Sequence, residues 1–322
     1  MLNILISCVG KRSDLVMSFT EELQRAGNVI TVDADKDAPG VKLANKSYIV
    51  PPFNSGDYIG VLFEICKNEK IRFIISLNVS DLIILTKNKS KFEEIGCQII
   101  GGEEESILTT YDKFLLSQMC LVNSLPSLST FLMSDATSLQ GVKFPVIIKP
   151  RYGCGSKGII IVDDQIELNT IKRDILDSLE DYIVQEFVKG QEFGLDIIND
   201  FKGDFVAVYV RKKSEMKNGE TNIAITESPK AWYNYAQKIS AILKHQGTID
   251  VDLIVYENSP YLIDVNYRFG GGYVFNHIAG ANTVRAYIHW MKGEIPNESC
   301  FYYEAGIKSF KDPKMGIIKS VE

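Results

Sequence analysis

Along the first hundred residues, short apolar runs alternate with amphipathic stretches. Leu2–Ser7 reads as a buried strand, and Ser13–Arg25 carries Leu15, Phe19, Glu22 and Leu23 at helical spacing. Val29–Val32 predicts a second strand, Tyr58–Lys67 a helix, Arg72–Ser76 a strand and Gln98–Ile100 another. Strands alternating with helices predict a parallel, doubly wound α/β sheet. Gly101-Gly102-Glu103-Glu104-Glu105 reads as a linker, followed by a helix over Tyr111–Val122 that Pro126 closes off.

From Phe144 the rhythm changes. Pro145–Lys149 and Ile159–Val162 predict strands on either side of a glycine-rich turn, Gln165–Leu179 a helix and Tyr182–Val188 a strand. Glu192–Ile198 and Phe205–Lys212 follow as strands, Lys213–Asn222 as a polar loop and Pro229–Leu243 as a helix. Thr248–Val255 and Tyr261–Val265 then pair as a hairpin across Glu257–Pro260. Successive strands with few crossovers predict an antiparallel, α+β region unlike the first. The 322 residues suffice for two or three packed subdomains, here expected over 1–108, 109–180 and 181–322.

Composition narrows the function. With 45% hydrophobic and 24% charged residues the chain is ordinary globular protein. A formal charge of −6 supplies no global field to draw nucleic acid or an anionic membrane. Six scattered cysteines without a C-x-x-C pair read as reduced thiols in a cytoplasmic protein. The Met1–Cys8 segment lacks a basic start and a long apolar stretch, so it reads as a strand and not a leader. No run approaches the roughly 20 apolar residues of a membrane span. The expected partners are small molecules, with room for a homodimer.

Gly153-Cys154-Gly155-Ser156-Lys157-Gly158 satisfies G-x-G-x-x-G, but a dinucleotide site needs that motif to open a helix. Ile159–Val162 follows as a strand, so the motif fails on context. A glycine turn between strands suits a flap whose backbone N–H groups, at Gly153, Gly155 and Ser156, close over triphosphate; the plain alternative is a β-turn. Protein kinases place the phosphate lysine after such a flap and carry H-R-D and D-F-G, whereas here Lys149 precedes it and neither motif exists. Gly10-Lys11-Arg12-Ser13 is no Walker A loop, because Leu5 and Arg12 replace its first glycine and its Ser/Thr.

Asp264, Asn266 and Arg268 differ by two, so on a strand all three face one way, with Asp252 on the preceding strand of the hairpin. Two carboxylates and an amide oxygen are hard ligands suited to Mg²⁺ bridging phosphates. Arg268 beside them suits a transferring phosphoryl group. The alternative is the polar face of an edge hairpin.

With these elements in order, the chain resembles the ATP-grasp enzymes, particularly short proteins similar to one half of the carbamoyl phosphate synthase large subunit. The resemblance implies a Rossmann-like domain followed by a two-lobed ATP-grasp domain. It implies that Lys113, in Asp112-Lys113, and Lys149, in Ile148-Lys149-Pro150, touch ATP phosphates, and Arg151 in the flap could join them. It implies further that Gln185, Glu186, Phe187 and Val188 form the edge whose backbone reads adenine, and that Glu192, or Glu186, faces the ribose. Arg211 falls where related enzymes bind an acceptor carboxylate, or is a solvated strand end. Lys11 and Arg12 sit at the carboxyl edge of the first sheet, to bind an anionic substrate or merely to begin a helix. One departure is Asp264, where the family usually has glutamate. The implied activity joins a carboxylate to an amine through an acyl phosphate, with ATP and Mg²⁺ as cofactors. A thiol or other acceptor, and a nucleotide-binding module without turnover, stay open. His245, His277 and His289 read as structural or surface residues, and Cys154 as a residue of a tight turn.

Overall fold

The computed structural model describes residues 1–135, 138–153, 158–217 and 219–311. Cys154, Gly155 and Ser156 of the expected flap lie outside them. Strand β1 (Asn3–Ser7) leads into α1 (Ser13–Leu23), then β2 (Val29–Asp33), β3 (Lys46–Ile49), α2 (Tyr58–Asn68) and β4 (Ile71–Ser76). Helices α3 (Val79–Lys87) and α4 (Lys89–Glu93) precede β5 (Gln98–Ile100). The strands pair in parallel in the order β3-β2-β1-β4-β5. Ile4, Leu5 and Ile6 are buried on both faces, as a parallel sheet between helices requires. Strand order reverses at β1, so the turns leaving β1 and β4 diverge and open a crevice at the carboxyl edge. Those turns carry Lys11 and Arg12 on one side, Leu77 and Asn78 on the other.

The expected linker is partly helical. Glu104 and Glu105 open α5 (Glu104–Tyr111), where acidic side chains suit the positive end of the helix dipole. A boundary at 108 therefore falls inside a helix. The expected helix over 111–122 is α6 (Lys113–Val122), started by Asp112, whose side chain accepts from the N–H groups of Phe114 and Leu115.

A four-stranded antiparallel sheet follows, built from β6 (Thr130–Leu132), β7 (Val146–Pro150), β8 (Ile160–Val162) and β9 (Tyr182–Glu186), with α7 (Gln165–Asp174) between the last two. Its order is β6-β9-β7-β8. Because β9 pairs with β6 and β7, the boundary expected at 180 moves beyond Glu186. This sheet has its own core of Met133, Val146, Ile148, Val162, Leu168 and Val184.

The largest sheet takes β10 (Gln191–Asn199), β11 (Phe205–Lys217) and β12 (Glu220–Glu227), then, past α8 (Tyr233–Leu243), β13 (Gly247–Tyr256) and β14 (Ser259–Asn266). Helices α9 (Tyr273–Ile278) and α10 (Thr283–Met291) lead to β15 (Lys308–Phe310) at the far edge. The expected polar loop over 213–222 is instead the end of β11 and the start of β12. Their register slips between Lys213 and Met216, and polar residues on both faces hide the strand period. The β13–β14 hairpin closes through Glu257 and Asn258, both in the left-handed region (φ 48° and 61°), as a two-residue turn matching strand twist requires. One face of this sheet (Leu195, Ile197, Ile249, Val251, Val265) shares a single core with Leu5 and Ile74 of the parallel sheet. The opposite face is polar around Asp196, Asp250 and Asp252 and turns apolar at Ile198 and Tyr209.

Candidate functional site

Strand alternation builds that polar face. Asp250 and Asp252 point the same way from β13; their partners across β14 are Asn266 and Asp264, and across β10 Asp196 and Gly194. Lys213 Nζ lies 2.8 Å from Asp252 Oδ1 and 3.5 Å from Glu192 Oε2. Burial alone would lower the Lys213 pKa, yet Asp252 and Glu192 raise it. Burial raises the Asp252 carboxyl, with Lys213 pulling against it. Asn266 Nδ2 donates to Asp264 Oδ2 at 3.2 Å. Among the described residues no three His, Cys, Asp or Glu side chains gather into a ready metal cluster. Two facing carboxylates and an amide oxygen nevertheless fit Mg²⁺, which keeps waters and phosphate oxygens in its shell.

The face of residues 264 and 266 does not extend to 268. β14 ends at Asn266, and the Arg268 N–H donates to the Asn266 carbonyl at 2.8 Å in a tight turn. Arg268 Nη1 reaches Asp250 Oδ2 at 3.4 Å. Asp250 is shared: Arg211 Nη2 lies 2.5 Å from its other oxygen, while Arg211 Nη1 holds Asp196 at 2.8 Å. Asn276 Nδ2 donates to Asp196 at 2.6 Å. Burial would raise the Asp250 pKa, but Arg211, Arg268 and Lys213 hold it below the usual range.

Arg211, expected at a substrate carboxylate or at a solvated strand end, is no solvated end and is engaged within the sheet. It is 2% exposed and its two Nη groups bind the sheet's own acids, because β11 continues past it and makes 211 a mid-strand position. The glycines after Arg268 follow from this network. A Cβ on Gly270 would fall 2.3 Å from the Asp250 carboxyl carbon, and one on Gly272 would fall 1.9 Å from Arg211 Nε. Arg12, expected to meet substrate, holds the same turn: its Nη1 and Nη2 donate to the carbonyls of Phe269 and Gly270 at 3.0 and 2.9 Å. Lys11 is exposed beside it.

The other wall comes from the flap sheet. Lys149 is 6% exposed and donates to Gln185 Oε1 at 2.8 Å; Gln185 in turn donates to Thr130 Oγ1 at 2.8 Å. Burial first, then neighbouring Lys113, pushes the Lys149 pKa down to about 8. Lys113 Nζ donates to the Gly153 carbonyl at 2.5 Å. Arg151, expected on phosphate, is instead 2.7 Å from Asp112 Oδ2 and clamps the cap that starts α6. On the proposed adenine edge, the N–H groups of Glu186 and Phe187 are taken by the carbonyls of Ser129 and Pro145, at 2.9 and 3.3 Å, and Val188 follows. Glu192 is half exposed at the start of β10.

A cavity of about 120 Å³ joins the walls, lined by Asn78, Ser80, Tyr111, Gly153, Asp264, Asn266 and Arg268 among others. Sequence reasoning missed Asp250, Asp196, Ser80 and Tyr111. The alternation Asp250-Val251-Asp252 carried the signal for Asp250. Ser80 and Tyr111, whose hydroxyls lie 3.0 Å apart, meet only through the fold. His245 is fully buried and held near pKa 3 by burial, against a hydrogen bond to Ile197 O, so it is a neutral core residue.

Comparison with known proteins adds to this geometry. A model of the ATP-grasp domain matches residues 112–272, half of the chain. The chain belongs to the ATP-grasp family. A model of the PylC-like N-terminal domain matches residues 4–100 of this ATP-grasp protein. The arginine-specific carbamoyl phosphate synthase large chain of Bacillus subtilis is 24% identical over 189 residues, 55% of this chain and 18% of that one. The D-alanine–D-alanine ligase of Petrotoga mobilis is 23% identical over 195 residues, 55% of this chain and 63% of the ligase. The chain thus spans less than a fifth of the first relative's length. Among solved structures, L-amino acid ligase from Bacillus licheniformis superposes with TM-score 0.71 at 20% identity, over 91% of this chain and 74% of that one. The biotin carboxylase domain dimer of Hydrogenobacter thermophilus 2-oxoglutarate carboxylase, solved with MgADP and bicarbonate, gives 0.73 at 16% identity, over 91% and 70%. These likenesses establish the fold: a parallel-sheet domain followed by an ATP-grasp domain with antiparallel sheets. Among the described residues no helix is long and apolar enough to cross a membrane.

Proposed function

We propose that this ATP-grasp protein is an ATP- and Mg²⁺-dependent ligase that joins a small carboxylate to an amine and releases ADP and phosphate. The observation that carries this reading is the single cavity on which Asp264, Asn266, Arg268 and the flap residue Gly153 converge. Lys149 and Lys113 would hold phosphates, with the Gly153 turn closing over them. Asp252, Asp264 and Asn266 would hold the metal, whose contribution is to neutralise phosphate charge. Arg268, oriented by Asp250, would meet the oxygens on which charge develops as the substrate carboxylate attacks the γ-phosphorus. An amine then displaces phosphate from the acyl phosphate, so no protein nucleophile is required. The Val184–Val188 edge and Glu192 would seat the nucleoside.

The relatives' activities prompt this reading, and the polar face is its physical support. A division into a substrate-side domain, a flap lobe and a metal lobe belongs to the same proposal. So do a cytoplasmic setting, which fits free Cys8, Cys66, Cys97, Cys120 and Cys300, and a homodimer, prompted by the dimeric biotin carboxylase domain. The decisive experiment is an ADP-release screen across carboxylate and amine libraries, with hydroxylamine as a trap. Carboxylate-dependent ADP with a hydroxamate product supports a ligase. Nucleotide binding without any ADP release would show a binding module instead.

A further inference from the structure

Two cations from outside the matched ATP-grasp stretch meet at the triple-glycine turn. Arg12 comes from the parallel sheet and grips the carbonyls of Phe269 and Gly270. Lys311 comes from the far edge, just past β15, where its N–H donates to the Asn222 carbonyl at 2.9 Å. Its side chain turns back toward the turn. A Cβ on Gly271 would lie 3.4 Å from Lys311 Nζ and within 4 Å of no other described atom beyond its chain neighbours. The Phe275 ring centroid is 5.9 Å from the same ammonium. Gly271 thus presents bare backbone with one cation beside it.

Among the described residues Arg12 spends both Nη groups on those two carbonyls, and the carboxylate paired with each cation is exposed. Lys311 faces Glu220 at 3.3 Å, with that carboxylate 71% exposed, and Arg12 faces Asp14 at 3.8 Å, with that carboxylate 41% exposed. Such exposed pairs are screened by water and contribute little. Burial, then Arg12 and Arg211, hold the Lys311 ammonium below its usual pKa despite Glu220. Burial and the charge of Arg268 likewise lower that of Arg12. Lys311 beside the bare backbone of Gly271, with the exposed Glu220 carboxylate as its ion-pair partner among the described residues, leaves a place for an anion.

The geometry points to an anion subsite at Gly271, built by Lys311 on the turn that Arg12 holds in place, that binds a second negatively charged group of the substrate. That group is a carboxylate or a phosphate, separate from the carboxylate activated beside Arg268. The substrate class follows only if the ligase reading holds, whereas anion binding at Gly271 stands without it. The acid substrate would then be a dicarboxylate or a phosphate-bearing acid.

Calorimetric titration of the full chain with acetate, malonate and inorganic phosphate, without nucleotide, tests this directly. The wild type should bind at least one dianion roughly tenfold more tightly than acetate, and the tighter of the two names the source. Lys311→Met keeps the stem and should remove that tenfold advantage, while Lys311→Arg should keep most of it. Glu220→Gln should strengthen dianion binding a few-fold by removing the competing carboxylate. Unchanged dianion affinity in Lys311→Met, or a wild type indifferent to all three probes, overturns the subsite. A parallel titration with the Mg²⁺ complex of a non-hydrolysable ATP analogue separates the two readings. Failure there counts against the ligase, while the anion series still decides Gly271.

Discussion

Lys149 is a buried ammonium whose hydrogen-bond partner is a neutral amide, so the protein keeps this charge at a cost. The drop from 10.5 to about 8 corresponds to on the order of 3 kcal/mol against the charged form. Below pH 8 the cation is present, to hold phosphate in the proposed role; above it the folded protein sheds the proton. Nucleotide affinity should therefore fall as pH rises through about 8, and Lys149→Arg should flatten that profile. Titration with an ATP analogue at pH 7 and pH 9 checks it. The linked stability runs the other way. Between the folded and unfolded pKa values the unfolded chain holds more protons, so stability without nucleotide should rise over that window. Urea melts at the same two pH values test the sign. Arg268 differs, since its proposed use lies in shape as well as charge. Arg268→Lys should bind ATP nearly normally and turn over roughly 100-fold more slowly, because lysine loses the planar fork. A merely structural arginine would instead lower the melting temperature and leave single-turnover ADP formation unchanged. At this scale the sequence was informative wherever residues lie two apart on one strand. Asp264 and Asn266 could be read in that way, and so could Asp250 had the alternation through Asp252 been carried back. Arg211 misled because its strand continues past an apparently polar end.

The hairpin of β13 and β14 and the turn after it act as one element. Gly270 and Gly272 exist because ion pairs lie where side chains would be. Gly272→Ala would push a methyl into Arg211, which Asp196 and Asp250 hold from the other side. The expected loss is about 3 kcal/mol or more, typical of overpacking against a buried charge pair. Denaturant unfolding measures it, and a loss under about 0.5 kcal/mol would show that the guanidinium can move aside. Several elements escaped sequence reading for identifiable reasons. α3 is nearly all apolar from Leu82 to Leu85, so no helical stripe shows, and its start is set by the Asn78 cap. The helix starting at Glu104 hides behind two glycines and an acidic run. The β11–β12 pairing slips register where both faces are polar. The strands β1, β2, β4, β5, β10, β11, β13 and β14 were legible because burial on one or both faces imposes its period on the sequence, whereas the edge strands β3 and β15 were not read.

At the scale of the molecule there are two kinds of junction. The flap sheet keeps a private core, whereas the parallel sheet and the largest sheet share theirs. The flap sheet is thus the part able to move as a unit. Hydrogen exchange should show amides of β7 and β9 gaining protection with a bound ATP analogue, while β1 and β13 change little. Equal protection across all four strands would argue against a hinged lobe. The shared core has a different consequence, for how such a protein changes over generations. Arg12 lies 257 residues from the Phe269 carbonyl it holds, so the two ends of the gene answer to one another. A substitution in the first turn can re-aim Arg268 without touching Asp252 or Asp264, the carboxylates proposed to hold metal. New acceptance of a substrate could therefore arise from the parallel-sheet half, leaving the phosphate chemistry intact. Exchange of that half as a ready-made cassette, by contrast, would strip the partner half of its hydrophobic lining.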